Sequence, residues 1–193
     1  MKTSSVAYFD SPGPVNTDEV VTIVVDRVKK GGVKHVVVAS GSGATAKKLI
    51  VGLKGTDAKL AVVSLSRGFE SEDEGGMSPK AEEDLIKLGA KMVRATHVLS
   101  GVEGSISRKL GGSSRVETIA QALKSLFGQG MKVCVEITVM AADCGAIPCG
   151  DIEVIAVAGS DTGADTACVL RPAYGNKFFD MQVREILAMP RRK

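Results

Sequence analysis

Residues 35–46 read His35-Val36-Val37-Val38-Ala39-Ser40-Gly41-Ser42-Gly43-Ala44-Thr45-Ala46. The first five residues form a short, β-branched, apolar run, which is typical of a strand buried on both faces of a parallel sheet. A turn rich in glycine and serine follows. Apolar residues then recur at helical spacing, at Ala46, Leu49, Ile50 and Leu53. The stretch therefore predicts a central strand that passes through a tight turn directly into a helix.

The same alternation of helix and strand continues on both sides of this stretch. Upstream, Asn16 and Glu19 have the spacing of a helix capping box, and the predicted helix ends at Gly31-Gly32. Downstream, residues 60–64 predict the next strand. A strand, a helix and a second strand in this order predict a right-handed parallel crossover.

Further elements follow toward the carboxyl terminus. Ser78-Pro79 predicts the start of a helix, with the serine as cap and the proline in the first turn. Residues 91–95 predict a strand, and Ser114 with Glu117 forms a second capping box. Residues 133–146 fit a helical face better than the alternation of a strand.

The two last predicted strands, residues 152–158 and 166–170, are joined by a short connector. They predict a hairpin that makes one edge strand of the sheet antiparallel. The whole pattern predicts a three-layer α/β/α sandwich with a mostly parallel sheet. Because the chain of 193 residues has no internal repeat and no linker-like tract, we expect a single domain spanning residues 1–193.

Charge and hydropathy exclude several classes of partner. The 25 basic and 22 acidic side chains are spread along the chain, and the one basic run is Arg191-Arg192-Lys193. Nucleic-acid binding needs basic residues concentrated on one face, so no nucleic-acid partner is expected. No apolar stretch approaches the roughly 20 residues of a membrane helix, and Met1 is followed by no signal-peptide core. We therefore expect a cytoplasmic protein with no membrane partner.

Cysteines and acidic residues give no metal signature, and no metal site is predicted. The four cysteines, Cys134, Cys144, Cys149 and Cys168, have no CxxC pair and no nearby histidine. We expect reduced thiols, since a Cys144–Cys149 disulfide would be unusual in a reducing compartment. The acidic set Glu70, Glu72, Asp73 and Glu74 lies in a glycine-rich segment, where we expect a solvated, flexible loop.

Three polar loops follow predicted strands: residues 40–45, 96–101 and 159–165. Ligands of doubly wound sheets bind beyond the carboxyl ends of the strands, so these loops are the candidate site. In the first loop, free helical amides and two glycines suit an anion, and the nearby hydroxyl groups would add donors. A serine that merely caps the helix, with the glycines forming a tight turn, is the alternative interpretation.

A dinucleotide site is a rival interpretation of the same turn. Gly41, Gly43 and Ala46 match the dinucleotide-binding fingerprint, and Arg67 beyond the next strand is placed to meet an NADP 2′-phosphate. However, the fingerprint strand is normally the first element of its domain, whereas a full helix precedes it here. The hydroxyl-rich turn also suits a terminal monophosphate better than a pyrophosphate.

The turn resembles the phosphate-binding segment of the pyruvate kinase carboxy-terminal domain, where a Ser/Thr-x-Ser-Gly-x-Ser/Thr turn grips a phosphate of the sugar bisphosphate effector. The match covers Ser40, Ser42, Gly43 and Thr45. Over nearly its full length, the chain resembles a stand-alone prokaryotic family of pyruvate kinase carboxy-terminal-like proteins, many of them archaeal, in which FMN has been found bound. The segments that carry this wider likeness are residues 95–103, 127–130 and 163–173.

The resemblance implies the pyruvate kinase carboxy-terminal fold and an FMN cofactor. It implies no catalytic residue, because the family has no settled reaction. It implies no pyruvate kinase activity, because the catalytic barrel is absent. The predicted cofactor-binding residues are Ser40, Gly41, Ser42, Gly43, Ala44, Thr45, Thr96, His97, Ser100, Gly101, Gly159, Ser160, Asp161, Thr162, Gly163 and Asp165.

Individual roles within this set differ. His97 could act as an acid or base, but without a legible partner a ligand contact or a structural hydrogen bond is the favoured role. Asp161 and Asp165 could accept hydrogen bonds from ribityl hydroxyls. The same loop also has the composition of a plain hairpin turn, and the two interpretations are compatible.

Three functional hypotheses result. The first is an FMN-binding protein, regulatory or a flavin carrier, that holds a small phosphorylated ligand at residues 40–45. The second is a flavin- or NADP-dependent oxidoreductase that uses the same pocket. The third is a sensor of a sugar phosphate or nucleotide. Self-association through helices stays open.

Overall fold

A computed structural model describes residues 1, 3–69 and 76–192 as one sheet covered by helices. The strands are β1 (Ala7–Phe9), β2 (His35–Ala39), β3 (Lys59–Val63), β4 (Lys91–Val93), β5 (Val154–Ala158), β6 (Thr166–Arg171) and β7 (Gln182–Pro190). The α-helices are α1 (Thr17–Lys29), α2 (Ala44–Gly52), α3 (Pro79–Lys87), α4 (Gly101–Leu110), α5 (Arg115–Phe127) and α6 (Gln129–Asp143). Short 3-10 helices lie at Pro14–Asn16 and Gly175–Asp180.

The strands are ordered β1-β7-β6-β5-β2-β3-β4 across the sheet. β6 runs antiparallel to both of its neighbours, and every other pairing is parallel. The predicted β5–β6 hairpin is therefore confirmed, but the prediction that its antiparallel strand forms an edge is wrong. β7 and β1 extend the sheet beyond β6, and both lie in segments to which the sequence analysis assigned no strand.

Apolar side chains alternate between the two faces of the sheet and form two hydrophobic layers. On one face, Val36 and Val38 of β2 pack in the cluster that contains the apolar residues of α1, α2 and α3. On the other, Val37 packs in the cluster that contains those of α5 and α6. All three valines are fully buried. The predicted α/β sandwich with a mostly parallel sheet and helices on both faces is confirmed, because β2 is covered from both sides.

Two of the three predicted helix caps are confirmed. The Ser78 hydroxyl oxygen accepts a hydrogen bond from the Ala81 amide at 3.2 Å, and Ser114 and Glu117 form the predicted capping box. The capping box at Asn16 is wrong. Its side-chain amide instead donates to the carbonyl of Ser11 at 2.9 Å, because the 3-10 helix that precedes α1 leaves Asn16 in a helical conformation.

Two other predictions concern loops and thiols. The polar stretch after β4 was predicted as a loop, but its second half opens helix α4, which the sequence analysis missed. The acidic set Glu70, Glu72, Asp73 and Glu74 lies outside the described residues. All four cysteines are free, and Cys134 and Cys168 are buried.

Gly130 marks a close approach between α6 and β6, and this contact generates a stability prediction. A Cβ at Gly130 would lie 2.6 Å from the Thr166 Cβ and even closer to its hydroxyl. We expect Gly130→Ala to lower the free energy of unfolding, measured in urea, by about 1–3 kcal/mol, because the helix must move off the sheet.

Gly104→Ala is the matched control for this change. Gly104 is also a buried helical glycine, but a new methyl group there would meet the movable Arg108 guanidinium at 3.3 Å. Because alanine favours helix more than glycine, this variant should be neutral or more stable by up to about 1 kcal/mol. Equal losses in the two variants would contradict the assignment of a steric limit at Gly130.

Candidate functional site

The candidate site lies at the carboxyl edge of β2 and β5. These parallel strands are neighbours, but the chain leaves β2 toward β3 on one side and returns to β5 on the other. In a doubly wound sheet this topology opens a crevice between the two loops that follow the strands. The structure therefore brings residues 40–45 and 159–165 together. Residues 96–101 follow β4, which lies two strands from β2 on the side of β3.

The turn at residues 40–45 opens α2 without a side-chain N-cap. Gly43 is the N-cap residue and has φ +89°, a left-handed conformation that favours glycine. The Ser40 hydroxyl oxygen accepts from the Ala46 amide at 3.4 Å, and the Ser42 hydroxyl oxygen accepts from the Ala44 amide at 3.5 Å. Both distances are at the long limit for a hydrogen bond, so the protein uses these donors only weakly.

Exposure within the turn also differs from residue to residue. Ser40 and Thr45 are buried, whereas Ser42 and Ala44 are exposed at the edge of the sheet. The Ser40 amide already has a partner within the protein, because it donates to the Val63 carbonyl at 3.0 Å. The exposed start of α2 is therefore the part of the turn that an anion from solvent can reach.

The β5–β6 loop is anchored by Asp165, which is fully buried. Its Oδ2 accepts from the amides of Gly13 and Ser160, each at 3.0 Å, and its Oδ1 accepts from the Thr166 hydroxyl at 2.7 Å. These bonds tie the loop to the amino-terminal segment. A ligand hydroxyl at Asp165, as the sequence analysis predicts, would compete with three protein donors.

The remaining residues of this loop lie closer to the solvent. Gly159, Ser160 and Gly163 are half-buried, and Asp161 and Thr162 are exposed. Gly163 has φ +70° and lies against Pro14 and Thr17, and the Thr17 hydroxyl oxygen accepts from the Ala164 amide at 3.0 Å. The loop is thus held on its amino-terminal side, while its tip is free to contact a ligand.

The β4–α4 loop rests on a buried ion pair that the sequence analysis missed. Lys132 Nζ lies 2.5 Å from Glu136 Oε2 within α6, and both side chains are more than nine-tenths buried. Glu136 Oε1 accepts from the Leu99 amide at 2.9 Å. A lysine and a glutamate four residues apart, in a run (131–142) that is otherwise uncharged, were the available signal, since such charges are buried only when paired.

His97 sits at the centre of this loop and is half-buried. Its ring stacks on Phe69, which follows β3, with centroids 4.7 Å apart and planes tilted by 38°. Burial lowers the pKa of His97, Glu136 opposes this by raising it, and Lys132 lowers it further. The imidazole is therefore suited to act as a neutral hydrogen-bonding group at neutral pH.

Thr96, Ser100 and Gly101 complete the predicted residues of this loop. Thr96 is exposed, Ser100 and Gly101 are half-buried, and Ser100 is the N-cap residue of α4 without a side-chain cap. Gly101 has φ +47°, and a Cβ there would lie 2.5 Å from Thr96 Cγ2. Like α2, α4 thus begins at the carboxyl edge with first-turn amides that no N-cap side chain occupies, which makes this edge electrostatically favourable for an anion.

Two cavities lie near the ends of the sheet. One, of about 240 Å³, lies beside Ser160 and Thr166 at the glycine turn before α6, with Lys124 and Arg192 at its wall. The other, of about 420 Å³, lies at the opposite edge beside His35 and Arg184. Neither of these two linings includes residues 40–45 or 96–101. Residue chemistry and sheet topology, rather than an enclosed volume, are therefore the grounds for treating the turn at residues 40–45 as the candidate site.

No protein-family model matches the chain. Within residues 1, 3–69 and 76–192, no group of three or more histidine, cysteine, aspartate or glutamate residues is arranged to hold a metal ion. In the same part of the chain, no helix has both the length and the apolar character needed to cross a membrane.

Replacement of Asp165 tests its anchoring role. We expect Asp165→Ala to lower the free energy of unfolding by about 3 kcal/mol or more, because it leaves the buried donors of Gly13, Ser160 and Thr166 without their acceptor. Asp165→Asn keeps one oxygen for the two amides and should cost clearly less. Urea denaturation of both variants measures the difference, and an alanine variant as stable as the wild type would refute the anchor.

The lowered pKa of His97 predicts a pH dependence of stability. The unfolded chain binds a proton to this imidazole more readily than the folded chain does. The stability that neutral His97 contributes is therefore complete above the unfolded pKa of about 6.5, and it is lost as pH falls toward the pKa of the folded state. We expect His97→Gln to flatten the stability profile on the acidic side of about pH 6.5. Because burial also lowers the pKa of His35, His35→Gln is measured in parallel. An unchanged slope in His97→Gln would contradict the prediction.

Proposed function

We propose that the chain binds a small phosphorylated ligand, FMN, with the phosphate at residues 40–45. The observation that carries this proposal is the uncapped start of α2 at the topological switch point of the sheet. The first-turn amides of α2 make only long hydrogen bonds to the Ser40 and Ser42 hydroxyl oxygens, and the helix dipole favours a negative charge there. A phosphate can accept from these amides and from the exposed Ser42 hydroxyl.

The choice of FMN rests on the resemblance of this turn and of the wider chain to the pyruvate kinase carboxy-terminal-like family. The proposal also includes that family's fold, which is one specific kind of α/β sandwich with a mostly parallel sheet. Residues 96–101 and the tip of the 159–165 loop would then lie along the ribityl chain or the ring. The cofactor would supply any electron chemistry, and the protein would bind and orient it.

The proposed ligand is tested by titrating the purified protein with FMN and with riboflavin. We expect FMN to bind at least about tenfold more tightly than riboflavin, because riboflavin lacks the phosphate that forms charge-assisted hydrogen bonds. We expect Ser42→Asp to remove this preference, because a carboxylate at the turn repels the phosphate. Flavin fluorescence measures both affinities.

Two control variants accompany this experiment. Ser42→Ala removes the hydroxyl without adding charge and should weaken FMN binding less. Thr56→Asp adds the same charge at the far end of α2, where Thr56 already accepts from the Ala58 amide, and should leave FMN affinity unchanged. FMN affinity that survives Ser42→Asp, or that equals the affinity for riboflavin, would refute the phosphate turn.

A dinucleotide is the second candidate, and the strand order favours it. β4-β3-β2-β5 places the glycine turn after the central strand and Arg67 after the next strand, as in a dinucleotide-binding half-domain. Arg67 is exposed at that edge. NADPH binding without FMN binding in the same titration would favour this candidate. Rapid reduction of bound FMN by NADH or NADPH would instead indicate a flavin enzyme and not a flavin carrier.

A further inference from the structure

Phe69 is an exposed aromatic residue in a chain that has few. Aromatic residues make up 4% of the sequence, and Phe69 is 54% exposed beside the half-buried His97. The two rings lie 4.7 Å apart at a tilt of 38°, so one supports the other while part of Phe69 faces solvent. An exposed ring supported from behind is a surface on which another planar group can stack.

Both rings are held by the backbone around them. The Phe69 amide donates to the Ser66 carbonyl at 3.2 Å, and the Ser100 amide donates to the His97 carbonyl at 3.2 Å. Leu99, two residues after His97, is bound through its amide to the Glu136 carboxylate of the buried ion pair. The ring pair is therefore positioned by α6 and by two closed turns before any ligand arrives.

The ring pair lies along the same sheet edge as the phosphate turn. The Ser40 amide bonds to the Val63 carbonyl at the end of β3, and the Ser64 amide bonds to the Val93 carbonyl at the end of β4. Two strand spacings separate the ends of β2 and β4, which is about 10 Å. An extended ribityl chain bridges a separation of this order between a phosphate and a ring.

We propose that Phe69, supported by His97, is the stacking surface for the planar ring of a ligand whose phosphate is held at residues 40–45. This inference rests on the proposed function and adds its specificity-determining residue. Phe69 selects ligands that carry a heteroaromatic ring, whereas the turn at Ser42 selects those that carry a phosphate. The two contributions are separable, because Ser42 and Phe69 lie in loops that follow different strands.

The test compares FMN with ribitol phosphate, which has the phosphate-bearing chain without the ring, by calorimetric titration. We expect Phe69→Leu to weaken FMN binding by about five- to a hundredfold, the range of aromatic stacking, and to change ribitol phosphate affinity by less than about twofold. Phe69→Tyr retains a ring and should keep FMN affinity close to that of the wild type.

Phe179→Leu is the matched control. Phe179 is also an exposed phenylalanine beside a second ring, Phe178, but its 3-10 helix is bonded to Asp143 at the far end of α6. FMN affinity should be unchanged in this variant. FMN binding that depends on Ser42 but not on Phe69 would overturn the stacking surface alone. Wild-type protein that binds neither ligand would overturn the proposed function together with this inference.

Discussion

The burial of β2 on both faces is the constraint on which the rest of the structure depends. Val36, Val37 and Val38 have no exposed surface, so helices must cover both sides of this strand. β3 and β5 pair with the two edges of β2. Helices that connect the strands therefore cover β2 twice, once on each face of the sheet. Because β2 and β5 run parallel, the loops that follow them lie at the same edge of the sheet. The candidate site is a consequence of this arrangement.

The loops at that edge differ in how strongly the protein itself satisfies their polar groups. The Asp165 carboxylate accepts three hydrogen bonds, and Glu136 is satisfied by Lys132 and the Leu99 amide. By contrast, the amides at the start of α2 have only long contacts to serine hydroxyls. The edge thus combines rigidly anchored loops with backbone amides at the start of α2 that the protein itself bonds only weakly. A preorganised ligand site requires this combination.

Sequence patterns predicted the elements whose burial is local and periodic. β2 was predicted with its observed bounds, and the caps at Ser78 and Ser114 were correct because the serine hydroxyl and the backbone amide that donates to it are three residues apart. β7 was missed, since its first residues are exposed and it gains its pairing from β6 and β1. Helix α4 was missed because its glycine and serine residues are typical of loops and because Gly104 is its one buried residue. Of the candidate site, the sequence predicted the three loops that follow β2, β4 and β5, but it singled out neither Phe69 nor Lys132.

The sequence by itself determined the alternation of helices and apolar strands and the glycine- and serine-rich turn after β2, because each depends on residue types at short separation. Only the tertiary structure decided that β6 is an interior strand, that Asp165 is an anchor and that Phe69 stacks on His97. These features join residues far apart in the chain, such as Gly13 and Asp165. Contacts of this kind follow from the order of the strands in the sheet, which local periodicity does not encode.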